Sequence, residues 1–406
     1  MLGAAVGGRR RGYHRRMTRA PAFDRRLLGG LSPATFLARH WQRRPLLVRG
    51  AVDPLPPLPG RDALAALAAR DDVESRLVAV DGGRWSMRHG PFERLPRARR
   101  DWTLLVQGVN LHDGPSDALM RRFDFVSAMR LDDLMISHAA DGGGVGPHLD
   151  SYDVFLLQVE GRRRWRWRDR ASVGARERAL VDDVPLKLLR HFEPTDEAVL
   201  EPGDLLYLPP SCAHDGVAVG PCTTASIGFR APSWNELTQE FLFGLAERTW
   251  PDGRPGDAGR PATTRPAALD ATLLAAIAER LGRIRWTPRD VEDFVGRHFS
   301  EPKANVFFDP PPPLSIGRFR RAAERRGLCV DRRATFLYRG RHGWLAGEPF
   351  DLPPPAAAFR TLADRRAVDA ATARTMTADD TARTLLHAWW SDGWIHLAGD
   401  ESDGPP

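Results

Sequence analysis

Lysine is nearly absent from this sequence. The chain of 406 residues contains 59 basic side chains, yet lysine occurs only at positions 187 and 303, and the others are arginines. The 52 acidic residues are interspersed among them, which leaves a net charge of +7. Such a chain could contact nucleic acid or a ribonucleoprotein, but arginine in place of lysine is also what a GC-rich genome produces. Charge alone therefore assigns no partner.

Long apolar runs and paired cysteines are also missing. No stretch approaches the length that crosses a bilayer, so we expect no contact with a membrane. The three cysteines (Cys212, Cys222 and Cys329) have no CxxC spacing and cannot all pair. This argues against a disulfide framework or a cysteine zinc cluster and favours a reducing cytoplasm. The basic N-terminus lacks the apolar core of a secretory signal. We expect residues 1–23 to form a disordered arm of a cytoplasmic protein, or to include an over-long gene start ahead of a true start at Met17.

The remaining chain is too long for one ordinary core, and its pattern changes along its length. Residues 24–232 begin with a helix that has Ser32 as its N-cap and Pro33 at its first position, and then become short β-like segments separated by turns. Those segments predict an antiparallel barrel or double-sheet jelly roll. Helical patterns dominate 233–305, and 306–406 shows a strand pair and two helices, typical of a small α+β module.

A possible metal site begins in the stretch GPHLDSYDVFLLQ. If this stretch is a strand, alternate side chains share a face, so His148, Asp150 and Tyr152 point the same way. A third ligand candidate, His214, follows the buried strand in EPGDLLYLPPSCAH. Two histidines and one carboxylate that leave the other metal positions open are the ligand set of non-haem Fe(II) oxygenases. The sequence therefore predicts an iron-dependent enzyme.

The stretches GGGVGPHLDSYDVFLLQVEGRRRWR, EPGDLLYLPP and SIGFRAP resemble the bacterial ribosomal oxygenases of the JmjC/cupin class. WQRRPLLVRGA near the start and EPKANVFFDP after the helices also fit that family. The resemblance implies an α+β protein: a JmjC double-stranded β-helix (24–232), a helical dimerisation region (233–305) that forms a homodimer, and a C-terminal winged-helix module (306–406). It implies an Fe(II)- and 2-oxoglutarate-dependent dioxygenase that hydroxylates an arginine of the sixteenth large-subunit ribosomal protein.

The resemblance also assigns roles to single residues. His148, Asp150 and His214 match the iron ligands, and dioxygen is the second cosubstrate. Arg163 matches the residue that binds the distal carboxylate of 2-oxoglutarate, where a planar, always-charged group suits bidentate binding. Ser137 matches a hydroxyl that also contacts this cosubstrate. The flanking Arg162 and Arg164 alternate to the opposite face of the strand, where we expect solvent.

A substrate guanidinium needs a carboxylate and favours an aromatic wall. Alternation places Asp133 on the same strand face as Ser137, so Asp133 and Tyr152 are the candidates for a substrate clamp. Two other functions stay open at this point: a related JmjC oxygenase acting on a histidine or a small molecule, and a non-catalytic cupin that binds RNA or the ribosome. The acidic ends of the C-terminal module, TADDT and GDESDG, argue against specific DNA binding.

Overall fold

The computed structural model describes residues 23–96, 100–169, 178–249, 253–256, 258–259 and 262–399. The basic arm expected at 1–23 lies outside these residues except for Phe23. In the described part of the chain, no helix is long and apolar enough to cross a bilayer. Cys212, Cys222 and Cys329 are all buried, and no disulfide joins any two of them.

The first unit is built mainly from β-strands, as predicted. Its helices are α1 (Pro33–Arg39), α2 (Arg61–Ala68) and α3 (Gly114–Met120). Its strands are β1 (Leu46–Val48), β2 (Ser75–Asp81), β3 (Arg84–His89), β4 (Trp102–Val106), β5 (Leu131–Ala139), β6 (Val154–Arg168), β7 (Asp196–Leu200), β8 (Leu205–Leu208) and β9 (Ala213–Phe229). The predicted start of α1 is confirmed, because the Ser32 side chain accepts a hydrogen bond from the Thr35 N–H.

The nine strands form one antiparallel sheet in the order β1-β8-β6-β9-β5-β4-β2-β3, with β7 also paired to β6. The strands β6 and β9 are long, and they pair with each other along most of their length. The first half of β6 pairs with β8 and its second half with β7, and the register shifts between these halves. The bulged β6–β9 pair thus belongs to both halves of a double-stranded β-helix, the predicted jelly-roll type.

Alternation along β6 separates two apolar clusters. Phe155 and Leu157 point into the main core beneath α1, α2 and α3, whereas Val154 and Leu156 join a smaller cluster with Trp165 on the opposite face. The smaller cluster lies on the side of the candidate metal residues. The sheet therefore packs one face for stability and uses the other to position the site.

Three helices follow the sheet, at the places where the sequence predicted them: α4 (Trp234–Thr249), α5 (Ala271–Leu281) and α6 (Pro288–Ser300). A reciprocal capping box between Thr287 and Asp290 fixes the start of α6. The helix α5 has no buried residue.

The C-terminal unit has its own core and more elements than predicted. Its elements are α7 (Ile316–Arg326), β10 (Leu328–Val330), β11 (Phe336–Arg339), β12 (His342–Leu345), β13 (Glu348–Asp351), α8 (Ala356–Arg365), β14 (Ala367–Val368), α9 (Ala370–Thr377), α10 (Asp380–Ser391) and β15 (Ile395–Leu397). The hairpin strands β11, β12 and β13 form a wing beside the helices, which is the winged-helix arrangement. The expected strand pair and helices are present, but the prediction was incomplete, since it lacked α7 and the remaining short elements. The helix α7 was missed because it is rich in arginine and buries only Phe319, Ala322 and Ala323.

Candidate metal centre and cosubstrate pocket

Two chain segments that are distant in sequence meet at the candidate metal centre. The backbone groups of His148 and His214 exchange two hydrogen bonds, each 3.0 Å long. Two residues further on, the Asp150 carbonyl accepts a 2.7 Å hydrogen bond from the Ser211 N–H. Backbone pairing, rather than contact between side chains alone, therefore holds the three candidate ligands together.

The strand predicted to carry His148, Asp150 and Tyr152 does not exist as such. The strand β6 begins only at Val154, and His148 takes part in an isolated bridge. The prediction failed because the chain turns through the glycine-rich segment before it enters the sheet. At Gly144 a Cβ atom would lie 2.6 Å from the Gly216 carbonyl oxygen, so only glycine permits this close approach to β9.

The three candidate ligands nevertheless converge. One ligand atom from each of His148, Asp150 and His214 lies within 4.8 Å of the other two. The Asp150 Oδ2 atom is 3.8 Å from His148 Nε2 and 3.6 Å from His214 Nε2. Ligand atoms that each stand about 2 Å from one ion fit such spacings after small side-chain adjustments.

Both histidines present the correct nitrogen to a metal. The Nδ1–H of His148 donates to the Gly146 carbonyl, and that of His214 donates to the Cys212 carbonyl, both at 2.9 Å. A carbonyl only accepts, so each Nδ1 carries the proton and each Nε2 keeps its lone pair. Burial lowers the pKa of His214 to about 4, assisted by the nearby His148 ring. The imidazole of His214 is therefore neutral at pH 7, the form that binds metal.

The Arg163 guanidinium lies deep on the same face. It is 5% exposed, its Nη1 donates to Ser137 Oγ at 3.3 Å, and it lies over the Trp165 ring. Its Nε and Nη2 are buried and have no hydrogen-bond partner among the described residues. A buried cation with two unpaired donors costs free energy unless an anion binds to it. The site therefore fits a carboxylate at this position, as 2-oxoglutarate would supply.

The flanking arginines behave as the alternation predicted, since Arg162 and Arg164 are exposed. Trp165 was not predicted as a residue of the site, yet its ring lies 5.9 Å from that of His214 and next to Arg163. The alternation in RRRWRWR could have predicted Trp165, because it places Arg163, Trp165 and Trp167 on the same face of β6.

Asp133 and Tyr152, the candidates for the substrate clamp, are both near this site. Asp133 is buried, and its Oδ2 accepts hydrogen bonds from Gln107 Nε2 at 3.1 Å and the Gly108 N–H at 3.0 Å. Tyr152 is 39% exposed, and burial of its hydroxyl raises its pKa, as do the charges of Asp150 and Asp133. The charges of a candidate metal ligand, Asp150, and of the candidate substrate carboxylate, Asp133, thus both reach the Tyr152 hydroxyl.

The fold and the facing histidines and aspartate define a JmjC-type dioxygenase. A sequence model of the JmjC domain matches residues 118–237, and one of the ROXA-like winged helix matches 283–396. The enzyme uses a metal and 2-oxoglutarate.

Similarity to individual proteins identifies the family within this class of dioxygenases. The chain is 37% identical over 283 residues to the ribosomal protein uL16 3-hydroxylase of Escherichia coli, covering 68% of this chain and 74% of that protein. It is 35% identical over 245 residues to a probable ribosomal oxygenase of Haemophilus influenzae, covering 57% and 58% of the two chains. This chain belongs to the bacterial ribosomal oxygenases.

Solved structures agree with this assignment. The crystal structure of Escherichia coli YcfD matches with a TM-score of 0.79 at 33% identity, over 90% of this chain and 98% of that one. YcfD in complex with cobalt and 2-oxoglutarate matches with a TM-score of 0.77 at 32% identity, over 91% and 99%.

Proposed function

We propose that this dioxygenase uses Fe(II) to hydroxylate an arginine side chain of a large-subunit ribosomal protein, the sixteenth, in the cytoplasm. The similarity to a uL16 3-hydroxylase supports the ribosomal substrate. Two imidazoles and one carboxylate at His148, His214 and Asp150 support iron, since this ligand set with open positions is typical of non-haem Fe(II) oxygenases.

In this proposal His148, Asp150 and His214 hold the iron, and Arg163 and Ser137 bind the distal carboxylate of 2-oxoglutarate. When bound, the metal and 2-oxoglutarate supply the oxidising chemistry, in which dioxygen is consumed, the cosubstrate becomes succinate and CO₂, and one oxygen atom enters a substrate C–H bond. The protein's own contribution is to hold the cosubstrate in position. Arg163 fixes one end of the cosubstrate, and the apolar cluster around Trp165 keeps water from that end.

The observation that carries the arginine assignment is the buried carboxylate of Asp133. Burial raises the pKa of Asp133 above its usual range, so an incoming cation would relieve an unfavourable environment. A guanidinium can donate two hydrogen bonds to one carboxylate while its flat face lies on an aromatic ring. Asp133 and Tyr152 would supply these two contacts.

A direct assay tests this function. The purified enzyme is given Fe(II), 2-oxoglutarate, dioxygen and a peptide covering an arginine-containing loop of the ribosomal protein, and succinate and peptide mass are followed. We expect peptide-stimulated succinate formation and the addition of one oxygen atom to an arginine. The matched control peptide has lysine in place of that arginine. Absence of stimulation by every arginine peptide of the protein would contradict the proposal.

We also propose a homodimer through the helical region. Apolar side chains are exposed on α4, where Phe243 is 69% exposed, and on α5, where Leu274 and Leu281 are 54% and 57% exposed. Two successive helices with such faces present more apolar surface than a monomer usually leaves in water. A second copy of the chain would cover it by isologous contact of the same helices.

A further inference from the structure

The motif EPKANVFFDP has no role in the metal site or the cosubstrate pocket, yet it contains one of the only two lysines of the chain. This segment follows α6 and returns to the start of β5. There the Lys303 Nζ atom lies 2.9 Å from Asp132 Oδ1. Asp132 is the immediate neighbour of Asp133, the candidate substrate carboxylate.

Lys303 and Asp133 line the same cleft, which opens between the β-sheet unit and the C-terminal unit. The Lys303 side chain is 46% exposed and that of Asp132 is 33% exposed, so their ion pair lies at the rim. Asp133 lies deeper and is almost fully buried. A cation that enters the cleft to reach Asp133 therefore passes Lys303.

Positive and negative side chains lie in similar numbers around Asp133. Asp132 lies next to Asp133 on β5 and pairs with two cations. One is Lys303, and the other is Arg230 at the end of β9, whose Nε lies 3.6 Å from Asp132 Oδ1. From the segment before β2 comes Glu74, whose charge also reaches Asp133. The neutral groups in contact with Asp133 are the amide of Gln107 and the Gly108 N–H at the end of β4.

Two further groups complete the surroundings of Asp133. Arg76 on β2 donates to Gln107 Oε1 at 3.2 Å, which orients the amide toward Asp133. Tyr152, from the segment before β6, is neutral at pH 7 as tyrosines ordinarily are, and burial of its hydroxyl and the carboxylates near it raise its pKa further. Among the charged groups around Asp133, the Lys303 ammonium group lowers the pKa of Asp133 the most.

We propose that Lys303 is a positioning residue for substrate binding: by pairing with Asp132 beside Asp133, its ammonium group keeps Asp133 in the charged form that a substrate cation requires. This inference rests on the proposed function, in which Asp133 binds the substrate. Lys303 does not touch the reacting atoms. It acts through Asp133.

The electrostatics agree with this geometry. Burial raises the pKa of Asp133, and the charge of Lys303 is the main influence that lowers it again. Burial would lower the pKa of Lys303, but Asp133 and Asp132 together raise it. A cation binds the ionised form of Asp133, so peptide binding weakens as the pH falls through the pKa of Asp133. Without Lys303 that pKa is higher, and the weakening begins at a higher pH.

The kinetic test compares Lys303→Met with Lys303→Arg. The matched control is Lys187→Met, because Lys187 is the other lysine and is exposed. We expect Lys303→Met to raise the peptide KM about fivefold at about pH 6 and less than about twofold at about pH 8, a modest effect because Lys303 is partly exposed. The kcat and the KM for 2-oxoglutarate should stay at wild-type values. Lys303→Arg should restore the wild-type profile, and Lys187→Met should not differ from wild type.

A peptide KM for Lys303→Met that is unchanged, or raised equally at both pH values, would overturn the inference. A second measurement does not depend on the substrate. With carbon-13 at the lysine ε positions, the side-chain NMR signals come from Lys187 and Lys303 alone. We expect the pKa of Lys303 to lie above the usual lysine value and to fall in Asp133→Asn, because the Asp133 carboxylate contributes to raising it.

A Lys303 pKa that is not above the usual lysine value, or that does not change in Asp133→Asn, would overturn the role of Lys303 even if the wild-type enzyme hydroxylates the peptide. Failure of the wild-type enzyme to hydroxylate any peptide would count against the proposed function instead. In that case the NMR titration still decides whether Lys303 and Asp133 are coupled.

Discussion

The Nε2 atoms of His148 and His214 both face Asp150 Oδ2, at 3.8 and 3.6 Å, while both Nδ1–H groups donate to backbone carbonyls. The tautomers that bind metal are thus set by the backbone before any metal arrives. Because the two segments are also joined by backbone hydrogen bonds, this geometry does not depend on the imidazole rings.

Removal of either imidazole should therefore abolish activity and leave the fold intact. We expect His148→Ala and His214→Ala each to lower metal-dependent succinate formation by at least about a hundredfold, since a metal ligand is lost. Circular dichroism should show the wild-type secondary structure. The control is His191→Ala, at an exposed position. Full turnover by His148→Ala or His214→Ala would remove that residue from the metal site.

The cosubstrate pocket gives a second prediction. Arg163→Lys should raise the KM for 2-oxoglutarate about tenfold and lower the saturated rate less, because an ammonium group cannot reproduce a bidentate contact. The neighbouring Arg162 is exposed and provides the control, and Arg162→Lys should keep the wild-type KM. A larger effect of Arg162→Lys than of Arg163→Lys would mean that the assignment is shifted by one residue.

The third prediction concerns assembly. Light scattering at micromolar protein should give twice the mass of one chain. Leu274→Glu should shift the protein toward the monomer, because it places a charge in the apolar face of α5. The control, Ala276→Glu, adds the same charge on the opposite side of that helix. A monomeric wild-type mass would contradict the dimer, as would equal effects of the two variants.

The substrate clamp gives a fourth prediction. Asp133→Asn should lower kcat/KM for the peptide about 10–100-fold, because a charge-assisted hydrogen bond is lost. The asparagine oxygen can still accept from Gln107 and Gly108, so the fold and the KM for 2-oxoglutarate should remain. The slow turnover of 2-oxoglutarate without peptide provides the internal control. Peptide hydroxylation at the wild-type rate would place the clamp elsewhere.

Tyr152 should contribute less through its hydroxyl than through its ring. Tyr152→Phe keeps the aromatic face, so we expect a fall of about threefold in peptide kcat/KM, whereas Tyr152→Ala should lower it about tenfold or more. The two rates are compared in the same peptide assay. Equal rates for both variants would exclude the ring as a wall for the substrate cation.

Much of this structure could be predicted from local patterns. Turn spacing predicted the antiparallel barrel, and the alternation in RRRWRWR correctly separated buried Arg163 from exposed Arg162 and Arg164. The prediction that His148 and Asp150 lie in a strand was wrong, yet those residues still converge with His214. They converge because an isolated backbone bridge replaces the strand, which periodicity cannot reveal.

Contacts between distant segments could not be predicted in the same way. The hydrogen bonds from Gln107 and Gly108 to Asp133 join the end of β4 to the start of β5, where the pairing of β5 with β9 is irregular between Leu131 and Leu134. The return of Lys303 to Asp132 crosses more than a hundred residues. No local pattern encodes such a pairing, because it depends on how the units pack.

The most direct test of the central claim is the mass of the large-subunit ribosomal proteins from cells with and without this gene. We predict that the sixteenth protein carries one additional oxygen atom on an arginine when the wild-type gene is present. The additional oxygen should be absent when the gene is deleted or encodes His214→Ala. Identical masses in all three strains, or an added oxygen that persists without the gene, would contradict the account.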